Sequence, residues 1–259
     1  MEVNKMDPIT IGTAIGTTLL TNFFSKGDSA PIQTLNDLWY LTFGKIQLLA
    51  DKKRAEHNTN LENYKNDLLQ EVSAIPEENL IMPRLSIIGA AMEASKYYIE
   101  EEDLRVMFAK IIAASMDMSK ASITHNAFIE IIKQLSPLDA KNLLLLKENY
   151  FLPIVVFSAK NGEGDDVPIF KDIVLSNPEC DDFKLMLSSI SNLKRLGLVV
   201  TDYNISLKDK AQYDIFENNE TLSRYKKDLP IEQPGYTPYF KRGVLELTPL
   251  GKDFKEVCL

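Results

Sequence analysis

Apolar residues recur at Leu35, Leu38, Trp39, Phe43, Ile46 and Leu49, and again at Leu61, Tyr64, Leu68 and Val72. Steps of three and four place such residues on one side of a helix, so residues 34–73 are predicted to be helical. The polar interval 51–60, with Lys52, Lys53 and Arg54, reads as a solvated face or a break rather than as a nucleic-acid patch. Ile75-Pro76 and Met82-Pro83 punctuate the chain next, because a proline pushes the residue before it out of helical geometry. Beyond Pro83, Leu85, Ile88, Ala91 and Met92 form a second apolar face. Leu104, Met107, Phe108, Ile111, Ile112 and Ser115 form a third, opened by acids at 100–103 that suit the positive end of a helix dipole. Phe128, Ile129, Ile132 and Leu135 make a further helix, and Ser136-Pro137-Leu138-Asp139 supplies an N-cap and first-turn proline for one running through Leu146.

The pattern changes at Tyr150. Residues 152–157 are β-branched, aromatic and apolar, which predicts a strand, and residues 160–166 (KNGEGDD) predict a turn. A helix from Asp181 or Asp182 through Leu196 stops at Gly197, where a left-handed cap is wanted, and Leu198-Val199-Val200 follows as a strand. A long polar excursion over 202–238 precedes a strand at 243–247. Thr248-Pro249 then caps a short helix over 250–257.

Composition narrows the chemistry. The chain has 259 residues, 45% hydrophobic and 25% charged, as a globular protein has. Cys180 and Cys258 stand far apart, with no CxxC and no Cys/His cluster, which argues against a disulfide framework or a zinc site and fits a reducing, cytoplasmic setting. His57 and His125 are the two histidines, so a metal site would rest on carboxylates and a His-activated nucleophile has few candidate bases. No GxSxG, HExxH, Rossmann glycine set or DxDxG loop occurs, so neither catalytic residues nor a cofactor are expected. The net charge of −8 is spread as −2 over residues 1–75, −6 over 76–180 and 0 over 181–259, which disfavours non-specific nucleic-acid binding.

Residues 8–25 carry no charge and hold Gly12 and Gly16 at a GxxxG spacing with Leu19, Leu20, Phe23 and Phe24 beyond. That spacing lets helices approach closely in a membrane. Against a span stand five threonines, a length below about 20 apolar residues and the lack of a flanking basic cluster. These six residues are candidate membrane or oligomer contacts, with packing on protein the favoured reading. The ending GTAIGTT lacks the GK[ST] of a P-loop, and residues 1–7 do not read as a signal-peptide start.

A helix ending in NLKRLGLVV, a polar hairpin-like excursion and a strand leading into LTPLGKDF resemble the recognition helix, wing and closing helix of a winged helix-turn-helix domain. Upstream lie Leu104-Arg105 after an acidic start, Ala113-Ala114, Met116-Asp117, Phe128-Ile129 and the Leu-Ser-Pro-x-Asp-Ala turn from Leu135 to Ala140. In this order they resemble the core signature of the Abi-alpha abortive-infection family, over roughly residues 75–257. His125-Asn126 stands where that family often has His-Pro. The resemblance implies a role in bacterial antiphage defence and supplies no catalytic residues. The expected fold is mainly α: an uncharged helix and loop over 1–33, a helical domain over 34–149 and a winged-helix-like domain with a small sheet over 150–259.

The leading functional expectation is a non-enzymatic defence protein acting through a protein partner or a homo-oligomer. The alternatives are a nucleic-acid-binding winged helix and a membrane-acting effector using residues 8–25. On the helix 183–196, Phe183, Met186, Leu187, Ile190, Leu193 and Leu196 form the expected core stripe. Lys184, Ser188, Ser191, Asn192 and Arg195 are left outward as candidate nucleic-acid or partner contacts. Two cations are few for a specific nucleic-acid interface, which favours the protein partner.

Overall fold

The computed structural model describes residues 29–43 and 51–259, with the side chains of 51–57 excepted. The chain forms two compact units: one ends at Gln134 and includes Val257–Leu259, the other runs Leu135–Glu256.

In the first unit the described helices are α1 (Ala30–Phe43), α2 (Asp51–Ser73), α3 (Leu85–Ser95), α4 (Glu102–Ser115) and α5 (Ala127–Ile132). Helix α4 is central and packs on α2, α3 and α5. All six residues of its apolar stripe are buried, and the small Ala109, Ala113 and Ala114 are buried with them, which lets the neighbours approach closely. Glu102 and Asp103 occupy its first turn, as the helix dipole favours. From its flank Arg105 Nε donates to Asp67 Oδ2 at 2.7 Å, and Lys110 Nζ lies 3.0 Å from Glu71 Oε1, so two ion pairs lock α4 to α2. Trp39 and Phe43 of α1 lie 4.6 Å apart, ring to ring, and pack on Tyr64 of α2 at 5.6 and 5.9 Å. The backbone of α2 is helical right across 51–60, so that polar interval is not a break. Leu85 departs from expectation: it is 67% exposed, whereas Ile87 is buried. The arc that α3 buries is centred on Ile87, Ile88, Ala91, Met92 and Ser95, and a residue at the first helical position falls on its rim.

The second unit opens with α6 (Pro137–Glu148) and continues through β1 (Phe151–Lys160), β2 (Asp166–Ile173), α7 (Phe183–Arg195), β3 (Val199–Asp202), α8 (Asp214–Asn218), α9 (Glu220–Glu232), β4 (Thr237–Leu247) and α10 (Pro249–Cys258) as far as Glu256. The sheet has the order β2-β1-β4-β3 and every pairing is antiparallel. The described residues are therefore mainly helical, with one small sheet in the C-terminal part. Central β1 pairs with β4 without interruption from Phe151↔Glu246 to Lys160↔Thr237, and its residues 152–159 are all buried. Val155, Phe157 and Ile173 pack with Phe183 of α7, Tyr213, Phe216 of α8 and Leu222 of α9 to form the core.

Between β3 and β4 the expected hairpin-like excursion is helical instead, made of a 3-10 turn (Lys210–Tyr213), α8 and α9. Asp209 and Asn219 cap these turns through Ala211 N and Leu222 N, and Tyr213, Phe216, Leu222 and Leu229 are buried. Those apolar residues are so diluted by charge that mean polarity masks their helical spacing. At the other end of the sheet Gly251 comes so close to β3 that a Cβ there would meet Leu198 O at 2.0 Å, and Gly197 takes a left-handed φ of 74°. Both glycines of the LGLVV and TPLGK stretches are thus explained by backbone geometry.

Candidate functional site

Helix α7 starts because Asp182 accepts hydrogen bonds from Lys184 N at 2.8 Å and Leu185 N at 3.4 Å, and it stops at left-handed Gly197. Phe183, Met186, Ile190 and Leu193 are buried, while Leu187 and Leu196 are half-buried. Opposite them Lys184, Ser188, Ser191 and Arg195 form one exposed stripe, joined by Leu185 at 56% exposure. Asn192 is set apart from this group. It is half-buried, donates to Asp139 Oδ2 at 2.9 Å, and accepts from Arg195 Nη2 at 2.7 Å. So the structure brings four of the five candidate contacts onto an open face and commits Asn192 to an internal network.

That network was not anticipated. Asp139 serves in a capping box, Ser136 Oγ accepting from Asp139 N at 3.2 Å and Asp139 Oδ2 accepting from Ser136 N at 2.7 Å. The same carboxylate accepts from Ser189 Oγ at 2.6 Å. Asn142 donates to Ser189 Oγ at 2.8 Å and accepts from Asn177 Nδ2 at 2.8 Å, and Asn177 in turn accepts from Glu179 N at 2.9 Å. Asp139, Asn142, Asn177 and Ser189 are all buried, so α6, α7 and the connection after β2 are joined by a satisfied polar chain. The signal for it was present: the Ser-Pro-x-Asp cap, and a serine at position 189 within the buried stripe of α7. Ser189 Oγ both donates and accepts and is 5% exposed, so it is not an accessible nucleophile.

A second cluster lies where β2 ends. Residues 171 and 172 oppose Val156 in a bulge between the pairs Val155↔Ile173 and Phe157↔Phe170, and Asp172 takes a φ of 61°. Its carboxylate accepts from Lys194 Nζ at 2.6 Å and from Tyr203 Oη at 2.7 Å. Burial, reinforced by the Asp172 carboxylate, pushes the Tyr203 phenol far above its usual range, so it stays a neutral donor and is not a base. Tyr203 also covers Gly243, where a Cβ would meet its ring at 2.5 Å. These contacts occupy Lys194 in holding α7 to the sheet.

Of the acids at 100–103, Glu102 and Asp103 stand in the first turn of α4, and at 165–166 Asn161 Nδ2 donates to Asp165 Oδ2 at 2.8 Å and Tyr239 Oη to Asp166 Oδ2 at 2.6 Å. The signature residues Arg105 and Asp117 are likewise engaged, Asp117 Oδ1 accepting from Ser119 N at 2.9 Å and Ser119 Oγ at 2.7 Å. Cys180 is half-buried, and burial pushes the Cys258 thiol well up. Among the described residues no group of three or more His, Cys, Asp or Glu is placed to hold a metal ion, and no helix is long and apolar enough to cross a membrane. Gly12, Gly16, Leu19, Leu20, Phe23 and Phe24 lie outside the described residues. Chemically, the α7 stripe offers hydroxyls, two cations and a leucine on a rigid support, which suits recognition.

A family model described as abortive infection alpha matches residues 56–258. No curated protein and no solved structure matches the chain.

Proposed function

The chain belongs to the abortive infection alpha family, and from that membership we propose that it acts in antiphage defence as a cytoplasmic binding protein without catalysis, docking a protein partner or a second copy through the exposed stripe of α7. The observation that carries this reading is the make-up of the stripe: Lys184, Leu185, Ser188, Ser191 and Arg195 combine one apolar anchor with sparse charge. Protein interfaces have such a mixed core and polar rim, whereas nucleic-acid interfaces are far more positive. In support of a winged-helix-like second unit stand the order α6, β1, β2, α7, β3, β4 and the immediate step from α7 through Gly197 to β3, with a helical insert where a wing would be.

An infection assay tests the proposal. Cells expressing the wild-type chain are compared with cells expressing Leu185→Asp and Lys184→Glu/Arg195→Glu, each checked for folding by thermal melting. Loss of phage protection in both folded variants is expected. Full protection by both would remove α7 from the mechanism, and measured turnover of a substrate by the purified chain would overturn the non-catalytic reading.

A further inference from the structure

Two depressions in the second unit meet at Ile215 of α8. One, of about 370 Å³, is lined by the apolar side chains of Leu145, Phe151, Leu152 and Pro153 alongside the polar Asn149 and Gln212. The other, of about 740 Å³, is lined by Asp181 and Glu220 together with the amides of Asn218 and Asn219. Phe151 and Ile215 remain 40% and 43% exposed at the apolar end, an uncovered pair in a concave setting. At the polar end neither Asp181 nor Glu220 has an ion-pair partner among the described residues, although nearby Glu179 is paired with Lys141. The first amides of α7 and α9 are already capped by Asp182 and Asn219, which leaves the two exposed carboxylates as the charge the groove presents.

The wall of the larger depression is held in place. Asn177 is buried, donates to Asn142 Oδ1 at 2.8 Å and accepts from Glu179 N at 2.9 Å, and its carbonyl accepts from Cys180 N at 3.3 Å. A groove fixed by such bonds costs a ligand little reorganisation. We propose that this groove binds a segment of a partner protein that carries one large apolar side chain and, a few residues along, a lysine or arginine. The apolar side chain covers Phe151 and Ile215, and the cation sits between Asp181 and Glu220. Two exposed carboxylates disfavour nucleic acid and acidic peptides by like-charge repulsion. The proposal does not depend on the role of the exposed stripe of α7.

The test uses the purified full chain and an array of short synthetic peptides in which one Phe or Leu and one Arg or Lys are placed at every spacing, with matched peptides bearing Glu in place of the cation. Fluorescence anisotropy then measures the best binder in solution. Saturable binding confined to the apolar-basic peptides is expected, weakened about tenfold or more by Asp181→Asn/Glu220→Gln and by Ile215→Ser. The two carboxylate substitutions are isosteric and exposed, so they keep the test valid if Ile215→Ser fails to fold. No saturable binding by any peptide, equal binding of the Glu-bearing peptides, or equal affinity in the carboxylate double variant would each overturn the proposal.

Discussion

Asp139 carries two tasks on one side chain, closing the first turn of α6 and receiving Ser189 and Asn192 of α7. Its replacement by alanine loses a helix cap and leaves buried donors unpaired, which together cost about 2–4 kcal/mol. Urea unfolding of Asp139→Ala, Ser189→Ala and the double variant is expected to show that the double change costs clearly less than the sum of the singles, because both remove the same bond. Strict additivity would show that the network does not couple α6 to α7. Tyrosine supplies a pH test. Burial holds the Tyr64 and Tyr203 phenols neutral well above the ordinary value of 10.0. A folded-state value raised above the unfolded one gives stability that is complete below that ordinary value and is lost as pH climbs past it. Stability is therefore expected to fall above about pH 10, with the Tyr64 and Tyr203 phenols among those that ionise late in an ultraviolet titration, and Tyr203→Phe should flatten the fall. An unaltered pH profile in that variant would dismiss Tyr203 as a contributor.

At the level of elements, periodicity revealed most of what forms. The stripes of α4 and α5, the capped start of α6 and both ends of α7 lie where the spacing of apolar residues and the cap chemistry put them. Two kinds of information were not legible. The helices α8 and α9 hide Phe216, Leu222 and Leu229 among charges, and their burial depends on Val155 and Phe157 of a strand far away in sequence. Within the candidate site, an outward face of α7 could be read from spacing. The diversion of Asn192 to Asp139 and of Lys194 to Asp172 could not, because each partner lies on a different element. The contact between α10 and β3 offers a sharp test. A methyl at position 251 would sit 2.0 Å from Leu198 O, a backbone atom that cannot swing aside. Gly251→Ala is expected to lower stability by about 1–3 kcal/mol or more, read as a reduced thermal midpoint, whereas Gly89→Ala, with open space at its Cβ, should be neutral to stabilising. Equal melting of the two variants would contradict the close approach.

For the molecule as a whole, a net charge of −8 sets its dealings with polyanions. Binding to duplex DNA at physiological salt is expected to be undetectable by gel shift, because too few cations are present to release counterions from phosphates. Salt-sensitive, sub-micromolar binding that Lys184→Glu/Arg195→Glu abolishes would instead favour a nucleic-acid reader. The turn between β1 and β2 bears on how such questions are pursued in living cells. Residues 162–166 are exposed, and the turn is closed by Asn161 accepting from Glu163 N and Asp165 N. Chain added there extends a surface connection at an entropic cost of only about 0.6 kcal/mol per doubling of its length. An epitope or a small fluorophore-binding peptide placed between Gly162 and Glu163 should therefore leave the fold unharmed, giving a reporter by which the protein can be followed through infection under the microscope.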